Sequence, residues 1–176
     1  MNVTSYQNLQ LYTVSAVLEP PGSISTVLIK ENLTILDTTL SGLSANSTSN
    51  STGTTLATVL SEAKGFTVFA PNDAALTAAA STISSLPNTS VAVVLGNHYI
   101  NGSTVYSPAF SASLNLTSAS GESLTFITNN TGTFVISGSS TAKIVKSDVL
   151  VKNGVVHIID SVLANTASNT AAASSA

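Results

Sequence analysis

Apolar positions change their spacing near Asn101: before it they recur at helical intervals, and after it they alternate in short stretches. From Ile24 to Leu43, the residues Ile24, Val27, Leu28, Ile35, Leu36, Leu40 and Leu43 follow helical spacings broken near Asn32, which predicts two short helices. Leu56, Val59, Leu60 and Ala63 mark another helix ending at Gly65, and Phe66 to Ala70 reads as a strand. Pro71 stops that strand. Asn72 or Asp73 is then placed to accept hydrogen bonds from the free amides of a helix running from Asp73 to Ile83. Val91, Val94 and Leu95 give one more helical face, closed near Gly96.

Beyond Asn101, strands are predicted over Ser113 to Thr117, Ser123 to Thr128, Thr133 to Ser137, Ala142 to Lys146 and Gly154 to Val162. The turn-forming stretches SASGES, NNTG, SGSS and VKNG separate them. Helices first and strands second predict an α+β domain rather than repeating βαβ units. The apolar run after Gly154 implies a strand covered on both faces, with Val156, Ile158 and Val162 on one and Val155, His157 and Ile159 on the other.

The ends of the chain read differently. Leu9 to Ser23 alternates and stops at Pro20-Pro21, as a strand before a rigid break does. Tyr12 to Leu18 lies without gaps over His157 to Leu163, with Val17 and Leu18 matching Val162 and Leu163. Either two short β-type segments agree by chance, or the first is the closing strand of a preceding repeat. Asn165 to Ala176 is made of small and amide residues and predicts a disordered spacer. The expected organisation is an N-terminal strand and linker over 1–21, one domain over 22–164 and a spacer over 165–176.

Charged residues are only 7% of the chain, arginine is absent, and hydrophobic residues reach 43%. No apolar run approaches the roughly 20 residues of a spanning helix. Without a basic cluster there is no electrostatic footprint for nucleic acid or an anionic membrane. Hydroxyls and sugar are the expected source of solubility. N-x-S/T acceptor sites stand at Asn2, Asn32, Asn46, Asn50, Asn88, Asn101, Asn115 and Asn129, most of them in turn-like sequence. Cysteine is absent, so packing rather than disulfides must stabilise the fold. Met1 to Thr4 has neither the basic nor the apolar region of a secretory signal, and the expectation is a mature fragment.

Few residues invite chemistry. His157 and Asp160 are half of a triad by type, but residues three apart on a strand point to opposite faces. Two widely separated histidines and eight scattered carboxylates make no metal cluster, leaving a weak oxygen-ligand calcium site at Asp73 or Asp148 as a minor option. Phosphate loops, nucleophile elbows and paired catalytic carboxylates are missing. Neither enzyme activity nor a cofactor is expected.

The segments FTVFAPNDAAL (Phe66 to Leu76) and NGVVHIIDSVL (Asn153 to Leu163), with LGNHYINGSTVYS between them, resemble the two boxes and the histidine motif of the fasciclin-type adhesion domain. The resemblance covers roughly Ile24 to Leu163. It implies a compact β-sandwich wedge with helices packed around one side, and structural roles for Thr67, Phe69, Ala70, Pro71, Asp73, Asn153, Gly154, His157 and Asp160. For the histidine motif two readings stay open. His98 bonds backbone at a helix exit while Tyr99 packs partly into the core, or Asn97, His98, Tyr99 and Tyr106 form an exposed adhesion edge. The motif of animal members has flanking aspartates that are absent here.

The function implied is a non-catalytic, secreted or cell-surface module for adhesion or for cell-wall or matrix organisation, lipid-anchored or not in its parent protein. Its partners would be a surface or matrix protein or polysaccharide and a neighbouring repeat, with the chain a monomer or weak dimer. The alternative is a carbohydrate- or small-lipid-binding protein using an apolar groove.

Overall fold

A computed structural model describes residues 2–6, 9–13, 20–42, 56–111, 114–169 and 172. Among the described residues the α-helices are α1 (Ile24–Lys30), α2 (Thr34–Gly42), α3 (Leu56–Glu62), α4 (Asp73–Ser85) and α5 (Asn88–Gly96). The strands are β1 (Asn2–Tyr6), β2 (Leu9–Thr13), β3 (Phe66–Pro71), β4 (Tyr99–Asn101), β5 (Asn115–Thr117), β6 (Ser123–Asn129), β7 (Gly132–Ser137), β8 (Ser140–Val151) and β9 (Gly154–Ile159). The expected α+β arrangement is what the chain adopts. Two short helices do fill the stretch from Ile24, and Asn32 takes a left-handed conformation at the break (φ 59°), which asparagine tolerates better than most side chains. The predicted loop from Ser44 to Thr54 and the strand portion from Val14 to Glu19 lie outside the described residues.

Strands β3 to β9 form a seven-stranded mixed sheet in the order β4-β3-β9-β8-β7-β6-β5. Only β3 and β9 run parallel, in the register Val68 with Val156 and Ala70 with Ile158. All other neighbours are antiparallel. β8 serves both halves: Ser140 to Lys143 pair with β7, and Ile144 to Val151 pair with β9 across two register shifts. Those shifts turn the sheet back on itself, and Phe69 of β3 lies 5.8 Å from Phe126 of β6 between ring centroids.

Two cores result, with β3 and β9 between them. In the first, Ile24, Leu28, Leu36, Leu40 and Leu60 of the helices pack on Val68, Ala70, Val156 and Ile158. In the second, Phe69 and Ile159 meet Phe110, Leu124, Phe126 and Val135. Every residue of β3 and β9 is buried, which is what the unbroken apolar runs require of a strand covered on both sides.

Several boundaries differ from expectation. β9 stops at Ile159, so Val162 is not on the strand. The chain turns at Asp160, whose carboxylate accepts the Lys143 amide at 2.9 Å while its own amide donates to the Lys143 carbonyl at 3.1 Å. β8 is longer than Ala142 to Lys146 because a bulge carries pairing through polar Ser147-Asp148 to Val151. The first residues of the expected spacer are tied to the domain: the Asn165 carbonyl accepts from Asn97 Nδ2 at 2.7 Å, and the Asn169 amide donates to the Ser120 carbonyl at 2.8 Å. Hydrogen bonds rather than apolar burial hold that segment.

At the N-terminus β1 and β2 form a separate two-stranded sheet. Tyr6 pairs with Leu9, Ser5 with Gln10 and Thr4 with Leu11.

Candidate functional site

The residues of the first box tie distant segments to β3. Thr67 is fully buried; its hydroxyl donates to the Ser103 carbonyl at 2.8 Å and accepts the Val105 amide at 2.9 Å. Phe69 and Ala70 fill the two cores on opposite faces. Pro71 ends β3 opposite Ile159. Asn72 caps α4 by accepting the Ala75 amide at 2.8 Å. Asp73 serves a different helix: its carboxylate accepts the Thr34 hydroxyl at 2.9 Å and the Ile35 amide at 3.2 Å, closing the N-terminus of α2.

The second box does the same from β9. Asn153 Nδ2 donates to the carbonyls of Leu60 and Ala63 at 2.9 and 2.7 Å, satisfying the exposed end of α3. At Gly154 an added Cβ would stand 2.5 Å from the Phe66 carbonyl oxygen, so only glycine lets β9 approach β3. His157 is fully buried, with Nε2 2.9 Å from the Val105 carbonyl and Nδ1 accepting the Asp148 amide at 3.2 Å. These partners fix the tautomer with the proton on Nε2. Burial lowers its pKa, opposed by the Val105 carbonyl and the Asp148 charge.

His157, Asp148 and Ser107 bring a triad's residue types together but not its geometry. Ser107 donates its hydroxyl directly to the Asp148 carboxylate and its amide to the same group at 2.8 Å, so the hydroxyl is spent on the acid rather than aimed at the imidazole. Burial works to raise the Asp148 carboxyl, but the Ser107 hydrogen bonds, with His157 nearby, hold it below its ordinary value. Asp148 sits at a positive φ of 59° in the β8 bulge, and the arrangement latches the segment after β4 to that bulge. Sequence reading singled Asp148 out only as a calcium ligand and missed Ser107, because their pairing spans 41 residues. Asp160 lies past the end of β9, exposed, with its carboxylate on the Lys143 amide rather than on His157.

Asn97 and His98 are inside the protein, at 0% and 5% exposure, so neither forms part of an exposed adhesion edge. Asn97 Oδ1 accepts from the Ser118 and Ser120 hydroxyls while Nδ2 holds the Asn165 carbonyl. His98 Nδ1 lies 2.6 Å from the Val94 carbonyl and Nε2 accepts the Leu163 amide at 2.9 Å. Burial lowers its pKa from 6.5 to about 4 despite the Val94 hydrogen bond. Tyr99 is half-buried, and burial raises its phenol. Of the four edge residues Tyr106 alone is well exposed, at 46%. The motif is thus an internal clasp that fastens the segment after β9 to the exit of α5.

Among the acceptor asparagines, Asn32, Asn101, Asn115 and Asn129 are exposed. Asn46 and Asn50 lie outside the described residues, and the side chains of Asn2 and Asn88 are likewise undescribed. A groove of about 240 Å³ runs between α4, α5 and the segment after β9, lined by Ala75, Ala79, Ile83, Leu86, Val94 and Val162 among others. Among the described residues no group of three or more His, Cys, Asp or Glu side chains is placed to hold a metal. Among them, too, no helix is long and apolar enough to cross a membrane.

Comparison with known proteins agrees with this geometry. A solved domain pair from the insect cell adhesion molecule fasciclin I matches with a TM-score of 0.51 at 19% identity, over 81% of this chain and 45% of that one. The chain thus spans under half the length of the structure it matches. No curated protein matches it. The model of the fasciclin domain matches residues 44–165, more than half of the sequence and including both boxes and the clasp between them, and the chain therefore belongs to the fasciclin-domain family.

Proposed function

We propose that this chain is a non-catalytic extracellular glycoprotein module for cell adhesion, or for cell-wall or matrix organisation, acting through surface contacts with protein or polysaccharide. The observation that carries the reading is that both ring nitrogens of both histidines are engaged by main-chain groups inside the fold. Side chains that would do chemistry are used to hold segments together, which leaves the surface as the working part. Sparse charge and many acceptor asparagines support a secreted, sugar-bearing surface. On the same reading, residues 1–21 are the tail of a neighbouring repeat, 22–164 the domain and 165–176 a spacer.

The test is aggregation of beads coated with protein secreted from a eukaryotic host, alone and with extracted wall or matrix material. Specific clustering that soluble protein competes away is expected. Beads that stay dispersed against every surface and matrix preparation would contradict an adhesive role.

The groove beside α4 supports a second reading, binding of a small apolar ligand. Its apolar lining suits a short acyl chain, but its volume falls below the roughly 300 Å³ at which ligand pockets begin. Saturable binding of a fluorescent fatty acid, lost on Ala79→Phe, would favour it.

A further inference from the structure

The two edges of the sheet, rather than its faces, point to where sugar matters. β4 and β5 are the outermost strands, and among the described residues no strand pairs with their outer sides. Such edges expose main-chain donors and acceptors that recruit strands of other molecules, and proteins commonly blunt them with lysine, proline or inward charge. Here β4 is Tyr-Ile-Asn and β5 is Asn-Leu-Thr, with neither charge nor proline. Their shortness limits the hazard, and the Ala119 amide covers the Tyr99 carbonyl at 2.9 Å. The remaining protection is in the sequence itself: each edge strand carries an acceptor asparagine, Asn101 at the end of β4 and Asn115 at the start of β5.

Their positions in the ladder are equivalent. The Gly102 amide bonds inward to the Gly65 carbonyl and the His98 carbonyl inward to the Phe69 amide, so alternation turns the main chain of Asn101 outward. The Ser118 amide bonds inward to the Glu122 carbonyl, and the same alternation turns Asn115 outward. Both side chains are exposed. The Asn115 carboxamide oxygen accepts from Ser123 Oγ, which leaves its nitrogen without a protein partner among the described residues.

We infer that Asn101 and Asn115 are N-glycosylated and that these two glycans guard the open sheet edges against self-association, in place of the charged side chains this surface lacks. The inference rests on the extracellular glycoprotein reading above. Each modification forms a bond from Asn Nδ2 to the anomeric carbon of an oligosaccharide carried on a polyprenyl pyrophosphate. The lipid pyrophosphate leaves and the amide gives up one proton. A glycan of several sugars there sweeps the volume an incoming strand would need. Asn129 lies instead at the β6–β7 turn, where its side chain accepts from the Thr131 amide at 2.8 Å, and a glycan at that tip would leave both edges accessible.

The test uses the full chain secreted from a eukaryotic host, with glycopeptide mass spectrometry for occupancy and analytical ultracentrifugation for association. Asn101 and Asn115 are expected to be occupied and the glycoprotein monomeric. Enzymatic trimming of the folded protein, or Ser103→Ala with Thr117→Ala to abolish both acceptor sites, should tighten self-association by about tenfold, the scale of one or two net main-chain hydrogen bonds. Asn129→Gln should leave association unchanged. Bare Asn101 or Asn115 in a protein glycosylated elsewhere overturns the inference while leaving the extracellular reading intact, and so does a trimmed protein as monomeric as the glycosylated one. Absence of sugar at every acceptor overturns both. Trimming acts after folding, so the comparison survives if the double variant misfolds.

Discussion

The hairpins β1–β2 and β8–β9 are built to one local plan and end in different circumstances. Sliding Tyr12 onto His157 superposes their registers: Tyr6 with Leu9 corresponds to Val151 with Gly154, Ser5 with Gln10 to Leu150 with Val155, and Thr4 with Leu11 to Val149 with Val156. Two residues separate the strands in each case, and the second is asparagine in both, Asn8 and Asn153. Yet β8–β9 is seated between β7 and β3, whereas β1–β2 is a sheet of its own. Position 154 shows what the seat demands. Glycine is required where the Phe66 backbone crowds β9, and the corresponding Leu9 carries a side chain. Pairing register is therefore a local property of these sequences, while the glycine is imposed by the neighbouring strand.

The largest expected difference comes from the core beneath β9. Ile158→Ala should destabilise the protein by about 2–5 kcal/mol through lost contacts and a cavity. Thr13→Ala, at the matching place in β2, should stay within about 0.5 kcal/mol, and chemical denaturation measures both. Equal effects would mean that β1–β2 is also part of the cooperative core.

Acid should loosen the exit of β9 next. His98 has a folded pKa of about 4 against 6.5 unfolded, so its contribution is complete above pH 6.5 and is lost as pH falls toward 4. Linkage over that interval amounts to about 3 kcal/mol, with His157 adding in the same direction. Unfolding free energies measured across the interval should fall with pH, and less steeply in His98→Gln. An unchanged slope in that variant would remove His98 from the clasp.

Gly154→Ala should cost about 1–3 kcal/mol, because the Phe66 backbone must retreat from the new methyl group. Leu9→Ala should be close to neutral. Smaller still is the effect expected from deleting Met1 to Glu19: a folded domain, changed by no more than about 0.5 kcal/mol. Failure of that truncation to fold would make β1–β2 part of this domain.

Local signals made most elements legible. Helical spacing located five helices, Asn72 marked the start of α4, and the apolar run from Val155 foretold two-sided burial of β9. What stayed hidden was set by partners remote in sequence. β4 is three residues long and is defined by its pairing with β3. Asp73 reads as a cap for its own helix but caps α2, with a partner 39 residues away. For Asn97 and His98 the sequence left an exposed edge and a backbone-bonding role both open, and the second is what His98 adopts. Their burial is made possible by Ser118, Ser120, Asn165 and the Leu163 amide, which no local pattern connects to them.

Hydrogen–deuterium exchange at the two hairpins tests the central claim most directly, because it reports whether each opens with the whole domain or alone. The proposed reading is that residues 22–164 form one fasciclin domain closed by β8–β9, with β1–β2 appended to it. Amides of Val155 to Ile159 should then exchange only through global unfolding, while those of Leu9 to Thr13 exchange faster by several orders of magnitude. Equal protection of β2 and β9, rising and falling together with denaturant, would contradict it.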